Sequence, residues 1–199
     1  MDYIKISAEK LLDWLKDNLS EKRYEHSLGT AECARSLAQK YNLDADRAYV
    51  AGLLHDCAKC FSNEVLLSEI EKNNLDVEDI EKMNYKTLHA PVSAFVAQKE
   101  FGVNDSEILS SIRWHTLGKL VMSDFEKIIF LADKIENRTR KDCYAEPIRA
   151  FLNEDNGLSK ALLQCYKQTI KSLVDRDLRI CPLTIEIYNK LEDLSLIHI

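Results

Sequence analysis

Four histidines and two aspartates stand where side chains of their kind are costly to bury. His26, His55, His89 and His115 lie in or beside segments of strong apolar periodicity. His55-Asp56 closes the run Tyr49-Val50-Ala51-Gly52-Leu53-Leu54, and Asp133 closes Ile128-Ile129-Phe130-Leu131-Ala132. A carboxylate at the end of so apolar a run is expensive unless something positive meets it, and a metal ion would do so. The His-Asp dipeptide alone is weak evidence, because five His and sixteen Asp in 199 residues give about 0.4 chance occurrences. A single histidine of this kind is ordinarily a hydrogen-bonded core residue. As a set, these residues point to a metal site.

The elements that must position them are helices. The chain has 5 Gly and 3 Pro, too few for the tight turns of a sheet protein. Apolar residues recur three and four apart, as in Leu11, Leu12, Trp14, Leu15 and Leu19. The pattern predicts an all-α fold of nine or ten helices in a single domain spanning 1–199, with helices near 7–19, 21–41, 44–58, 63–73, 77–83, 89–101, 105–115, 124–138, 158–175 and 183–195. The expected caps are Ser20, Asp44, Ser62 and Ser123, the last with Glu126 three residues later. Gly102 and Gly118 mark helix ends. The polar stretch Asn153-Glu154-Asp155-Asn156-Gly157 reads as a loop, dividing a metal-site core of about 20–140 from supporting helices of about 157–195.

A net charge of -6 argues against a nucleic-acid polymer as partner. Neither a leader peptide nor a membrane span is visible, and the expected compartment is the cytoplasm. Six cysteines form no compact disulfide framework. Cys57-x-x-Cys60 has no second pair for zinc and no adjacent strand pattern for redox chemistry, so buried thiols are the expectation. The sequence admits a homodimer without requiring one.

Five segments together carry a resemblance: Tyr24-Glu25-His26-Ser27, Ala51 to Lys59, Leu88-His89-Ala90-Pro91-Val92, Arg113-Trp114-His115-Thr116-Leu117-Gly118 and Leu131-Ala132-Asp133-Lys134-Ile135-Glu136. The sequence resembles the HD-domain metal-dependent phosphohydrolases, an all-helical fold, and most closely the YqeK-type bacterial symmetrical diadenosine tetraphosphatases, over about residues 10–195. The resemblance implies that His26, His55, Asp56 and Asp133 hold one metal ion, and that His89 and His115 hold a second with Asp56 bridging. It implies iron; the donors themselves suit iron, manganese or zinc. Two ions roughly 3.5–4 Å apart can share a water, lower its pKa and clamp the attacking and leaving oxygens of an in-line displacement at phosphorus, so no side-chain nucleophile is required. No G-x-x-x-x-G-K phosphate loop occurs.

Cations near the ligands are candidates to meet phosphoryl charge. Lys59 falls one turn after Asp56 if the helix continues, and it fits the family's His-Asp-x-x-Lys pattern. Arg138 follows Asp133 by five residues within Arg138-Thr139-Arg140-Lys141. Both also fit a solvated helix end, where cations offset the dipole. Thr116 and Gly118 would let a turn approach substrate closely. Trp114 and Tyr85 could stack on a base, although aromatics of an apolar stripe are more often core. His198 lies outside every motif and is given no role. Two positions depart from the family: Cys57 replaces a usual Tyr, and no proline follows Glu136. The expected reaction is cleavage of diadenosine tetraphosphate to two ADP. The alternatives are another HD-type phosphoesterase acting on nucleoside monophosphates or cyclic dinucleotides, and a protein that binds a nucleotide alarmone without turnover.

Overall fold

A computed structural model describes residues 3–82 and 84–197, with backbone alone at 80 and 195–197. His198 therefore lies outside the described residues, as does position 83 at the end of the expected helix 77–83. Among the described residues the secondary structure is helical throughout: α1 Ala8–Asn18, α2 Glu21–Lys40, α3 Ala45–Leu54, α4 Asn63–Lys72, α5 Asp79–Lys82, α6 His89–Phe101, α7 Ser106–Trp114, α8 Asp124–Ile135, α9 Asp142–Arg149, α10 Gly157–Val174 and α11 Pro182–Ile197, with a short 3-10 turn at Ala150–Asn153.

Side-chain caps fix several starts. Ser7, Asp44, Ser62 and Asp105 accept backbone N–H bonds from the first turns of α1, α3, α4 and α7. Ser123 and Glu126 form a reciprocal capping box at α8. Ser20 begins α2 without a side-chain cap bond. Gly102 closes α6 in the left-handed region at φ 68°.

A continuous apolar cluster running from Ile4 to Ile187 holds the helices together. Its centre is the α2–α3 pair, with α8 against both. The crossing is close because position 52 is glycine: a Cβ there would lie 2.6 Å from the Ala31 Cα and 2.8 Å from its backbone nitrogen. That contact, at Ala31 near the middle of α2, sets the crossing that places the second turn of α2, which carries His26, beside the end of α3, which delivers His55.

Three boundaries depart from expectation. The helix predicted over 44–58 stops at Leu54, and residues 55–60 continue in tighter turns with bonds from Cys57 N to Leu54 O and from Lys59 N to Asp56 O. The N–H of Ala58, which an α-helix would send back to Leu54, is instead taken by the buried Ser93 hydroxyl on α6 at 3.0 Å. The helix predicted to run to 138 ends at Ile135, because Glu136 turns to ψ 154°. Residues 139–152, where the pattern predicted no helix, contain α9 and nearly all of the 3-10 turn. Pro147 inside α9 removes one N–H and masks the pattern, while Ala145, Ile148 and Leu152 form the buried stripe that holds the segment. No described helix is long and apolar enough to cross a membrane.

Candidate metal centre

The six predicted ligands arrive from five places. His26 comes from the second turn of α2, and His55 and Asp56 from the end of α3. His89 comes from the first residue of α6, His115 from the residue after α7, and Asp133 from the last turn of α8. All six are buried.

His55 and His115 are oriented by one device. Each sits at a helix C-cap and donates its Nδ1–H to the carbonyl three residues back, His55 to Gly52 and His115 to Ile112, both at 2.7 Å. The Nε2 lone pair of each is thereby aimed inward. His26 is held differently: its Nδ1 lies 3.0 Å from the Glu136 carboxylate, and its Nε2 lies 2.9 Å from Asp133 Oδ1 and 3.3 Å from His55 Nε2.

Asp56 stands between two groups. Its Oδ1 is 2.9 Å from His89 Nε2 and 3.4 Å from His115 Nε2, while its Oδ2 lies 3.7 Å from His55 Nε2 and 4.0 Å from His26 Nε2. His26, His55 and Asp56 therefore form one trio of potential ligand atoms, and Asp56, His89 and His115 another. Asp133 Oδ1 joins the first trio at 3.7 Å from His55 Nε2. The donor chemistry fits metal ions well. His89 and His115 bring Nε2 atoms within 3.1 Å of each other, so that a cation there would meet both once the His89 Nε2 gives up any proton it shares with Asp56.

Electrostatics separate the two trios. Burial pushes the Asp56 carboxyl upward, but the surrounding His55, His115 and His89 outweigh it and hold it well below the ordinary carboxylate range. Burial lowers the His115 imidazole to about 4, and it lowers His89 as well. Burial acts in the same direction on His26, but hydrogen bonds to Asp133 and Glu136 reverse it and raise that ring. Burial would raise Glu136, yet bonds from His26 and from the Thr139 side chain and backbone bring it down to about 2.

The predicted cations fare unequally. Although the helix does not continue, Lys59 reaches the site: its Nζ is 3.1 Å from both ring nitrogens of His89, and burial depresses its pKa. Arg138 is bound on the surface of α2, where it meets Glu25 at 2.6 Å and Glu32 at 2.6 Å. Its backbone N–H bonds Glu136, so it braces the turn and touches none of the six ligands. Gly118 is required at φ 76°, with the Tyr166 hydroxyl occupying the place a Cβ would need; packing against α10 accounts for the glycine. Thr116 lines a cavity beside the site. Tyr85 is 47% exposed at the mouth of another cavity, whereas Trp114 stacks under the Arg113 guanidinium in a separate groove.

Several residues not singled out from the sequence touch the cluster, Thr139 among them with its Oγ1 3.3 Å from His26 Nδ1. Arg23, one turn before His26, donates to Asp56 Oδ2 at 3.1 Å. Arg140 donates to Asp133 Oδ1 at 2.6 Å and lies 3.2 Å from His26 Nε2. Lys134 donates to Asp133 Oδ2 at 2.6 Å, and Glu136 orients His26. Arg23 and Glu136 were accessible in principle, since each falls three residues from a ligand; the reach of Arg140 depends on a turn that sequence spacing does not reveal.

Beside His89 and Lys59 opens a cavity of about 730 Å³, lined also by Arg23, Phe61, Tyr85 and Lys86. It offers cations next to the metal ligands and aromatic rings farther out, as a nucleotide requires.

The HD domain family matches residues 23–138, which contain all six ligands. This chain belongs to the HD-domain family. Its relatives include a protein of Halalkalibacterium halodurans named bis(5'-nucleosyl)-tetraphosphatase, symmetrical, 36% identical and matched over 92% of this chain and 95% of the relative. A Bacillus subtilis protein of the same name is 33% identical over 92% of this chain and 97% of its own. A solved structure from Clostridium acetobutylicum, described as a predicted HD superfamily hydrolase involved in NAD metabolism, superposes with a TM-score of 0.88 at 38% identity, covering 94% of this chain and 98% of that one. The HD domain and its buried His/Asp cluster make this a site for divalent metal.

Proposed function

We propose that this HD-domain protein hydrolyses diadenosine tetraphosphate at its central anhydride to give two ADP, using two divalent ions. Iron is the metal we favour, with manganese and zinc suited by the same donors. One ion would be held by His26, His55, Asp56 and Asp133, and the other by Asp56, His89 and His115. The observation that carries this is the position of Asp56, whose two oxygens face two different sets of imidazole nitrogens. The similarity to symmetrical tetraphosphatases along nearly the whole chain supports the choice of substrate. When bound, the ions supply Lewis acidity and a water of lowered pKa.

The remaining work falls to the chain. Lys59 and Arg23 border both the ligands and the 730 Å³ cavity, where they would bind phosphoryl oxygens as charge shifts toward the leaving group. Arg140 lies against Asp133 and His26 and would restrain a phosphate from the other side of the first trio. Arg138, already met by two glutamates, acts as a brace for the Glu136 turn. Phe61 and Tyr85 would pack against a nucleoside and keep water from that face. The proposed setting is the cytoplasm.

The test is product analysis on metal-loaded protein, run beside nucleoside monophosphates and cyclic dinucleotides. ADP as the single nucleotide product is expected. AMP plus ATP would contradict symmetrical cleavage, and nucleotide binding without metal-dependent turnover would replace the enzyme with a binding protein.

A further inference from the structure

Lys59 reaches the metal ligands although α3 stops at Leu54, and the hydrogen bonds of the turn explain how. The N–H groups of Cys57, Lys59 and Phe61 each bond the carbonyl three residues back, at 3.2, 2.9 and 3.1 Å. At three residues per turn, side chains three apart lie one above the other. In an α-helix they are offset by about 60°. Asp56 and Lys59 are three apart, and both meet the same ring: Asp56 Oδ1 lies 2.9 Å and Lys59 Nζ 3.1 Å from His89 Nε2.

What keeps this segment in tight turns comes from another helix. Ser93 on α6 is fully buried, and its helix neighbours Val92, Val96 and Ala97 are buried and apolar. An apolar residue at that position could accept no hydrogen bond. Ser93 Oγ accepts the Ala58 N–H at 3.0 Å, and its carbonyl accepts the Cys57 thiol at 3.5 Å. His89 lies four residues before Ser93, on the same face of α6, so one helix face holds both the ring and the turn that aims at it. We propose that Ser93 is a positioning residue for Lys59: by holding the Ala58 N–H it keeps the 55–60 turn tight and sets the Lys59 ammonium beside His89, where phosphoryl oxygens arrive. Its catalytic consequence rests on the reaction proposed above. Without the Ser93 acceptor the Ala58 N–H is free to close on the Leu54 carbonyl, and the α-helical geometry that follows swings Lys59 out of line with Asp56.

The test is a double-mutant cycle on metal-loaded protein, reading kcat/KM for diadenosine tetraphosphate and affinity for ADP in the unmodified chain, Ser93→Ala, Lys59→Ala and the double variant. Ser93→Ala is expected to lose about tenfold in both, the size of one charge-assisted contact, with its metal content unchanged. On the Lys59→Ala background the same change should cost less than about twofold, because the group it positions is gone. Ser93→Thr, which keeps the hydroxyl, should stay within about threefold of the unmodified protein. An undiminished loss on the Lys59→Ala background would make Ser93 a general structural residue and overturn the inference. Loss of bound metal in Ser93→Ala, a folded Ser93→Thr as impaired as Ser93→Ala, or no effect of Ser93→Ala would overturn it too. If Ser93→Ala unfolds, Ser93→Cys, which fills the space but accepts hydrogen bonds weakly, carries the same expectations. The same coupled losses of ADP affinity in a protein that does not cleave diadenosine tetraphosphate would defeat the proposed reaction and leave the role of Ser93 standing.

Discussion

The two trios that share Asp56 differ in how their charges are met. Around His26 the protein supplies its own ions: Asp133 is bound by Lys134 and Arg140, and Glu136 holds the far side of the ring. Around His115 and His89 there is little beyond burial, Asp56 and Lys59. The first trio is compensated before any metal arrives, whereas the second keeps imidazoles that burial holds toward the neutral form, with their Nε2 atoms 3.1 Å apart. Equal-looking ligand sets can therefore differ in what they need from the ion.

The largest effect should follow removal of the residue common to both. Asp56→Ala should lower turnover at least about a thousandfold and release both ions, as counted by elemental analysis. Retention of two ions would break the description of Asp56 as the shared ligand. Glu136→Gln should weaken metal retention by about 10–100-fold, the usual cost of losing a hydrogen-bond partner behind a ligating histidine. A chelator titration would read it, and the ion lost first should belong to the His26 side.

Acidity should expose the contrast in metal-free protein. The His115 ring is depressed from 6.5 to about 4, so its stabilising contribution is present above pH 6.5 and is lost as pH falls toward 4. His26 is raised, so its contribution is present below 6.5 and is lost as pH rises through its folded value. Thermal melts across pH should show His115→Asn flattening the acid limb and His26→Asn flattening the limb above 6.5; identical slopes for both would remove the distinction. The smallest effect belongs to Arg138→Ala. Its exposed carboxylate partners suggest about 0.5–1 kcal/mol of stability, read by urea unfolding, with kcat and KM within about twofold. A tenfold rise in KM would return Arg138 to the substrate.

How legible all this was in the sequence depended on how far each constraint reaches along the chain. His55-Asp56 and Asp133 stand out locally because they close apolar runs, whereas the grouping of all six as ligands came from the resemblance; the helical class followed from periodicity and the scarcity of Gly and Pro. The stop after Leu54 could not be read, since the Ser93 hydroxyl that causes it lies 35 residues away from Ala58 in the chain. α9 was hidden by Pro147, a poor helix residue overridden by the burial of Ala145 and Ile148. Gly118 invited a substrate role because a left-handed glycine serves ligands and packing equally well; the Tyr166 hydroxyl that gives it a packing reason is remote in sequence. Arg138 and Arg140 look interchangeable as letters, and the turn after α8 sends one to surface glutamates and the other to the cluster.

The glycine at the α2–α3 crossing sets a mechanical tolerance. His26 and His55, 29 residues apart in the chain, are registered against each other where one helix rests on the other with only a hydrogen atom as spacer. A single methyl at position 52 would act as a shim, wedging the helices apart and widening the gap between two ligands that it never touches.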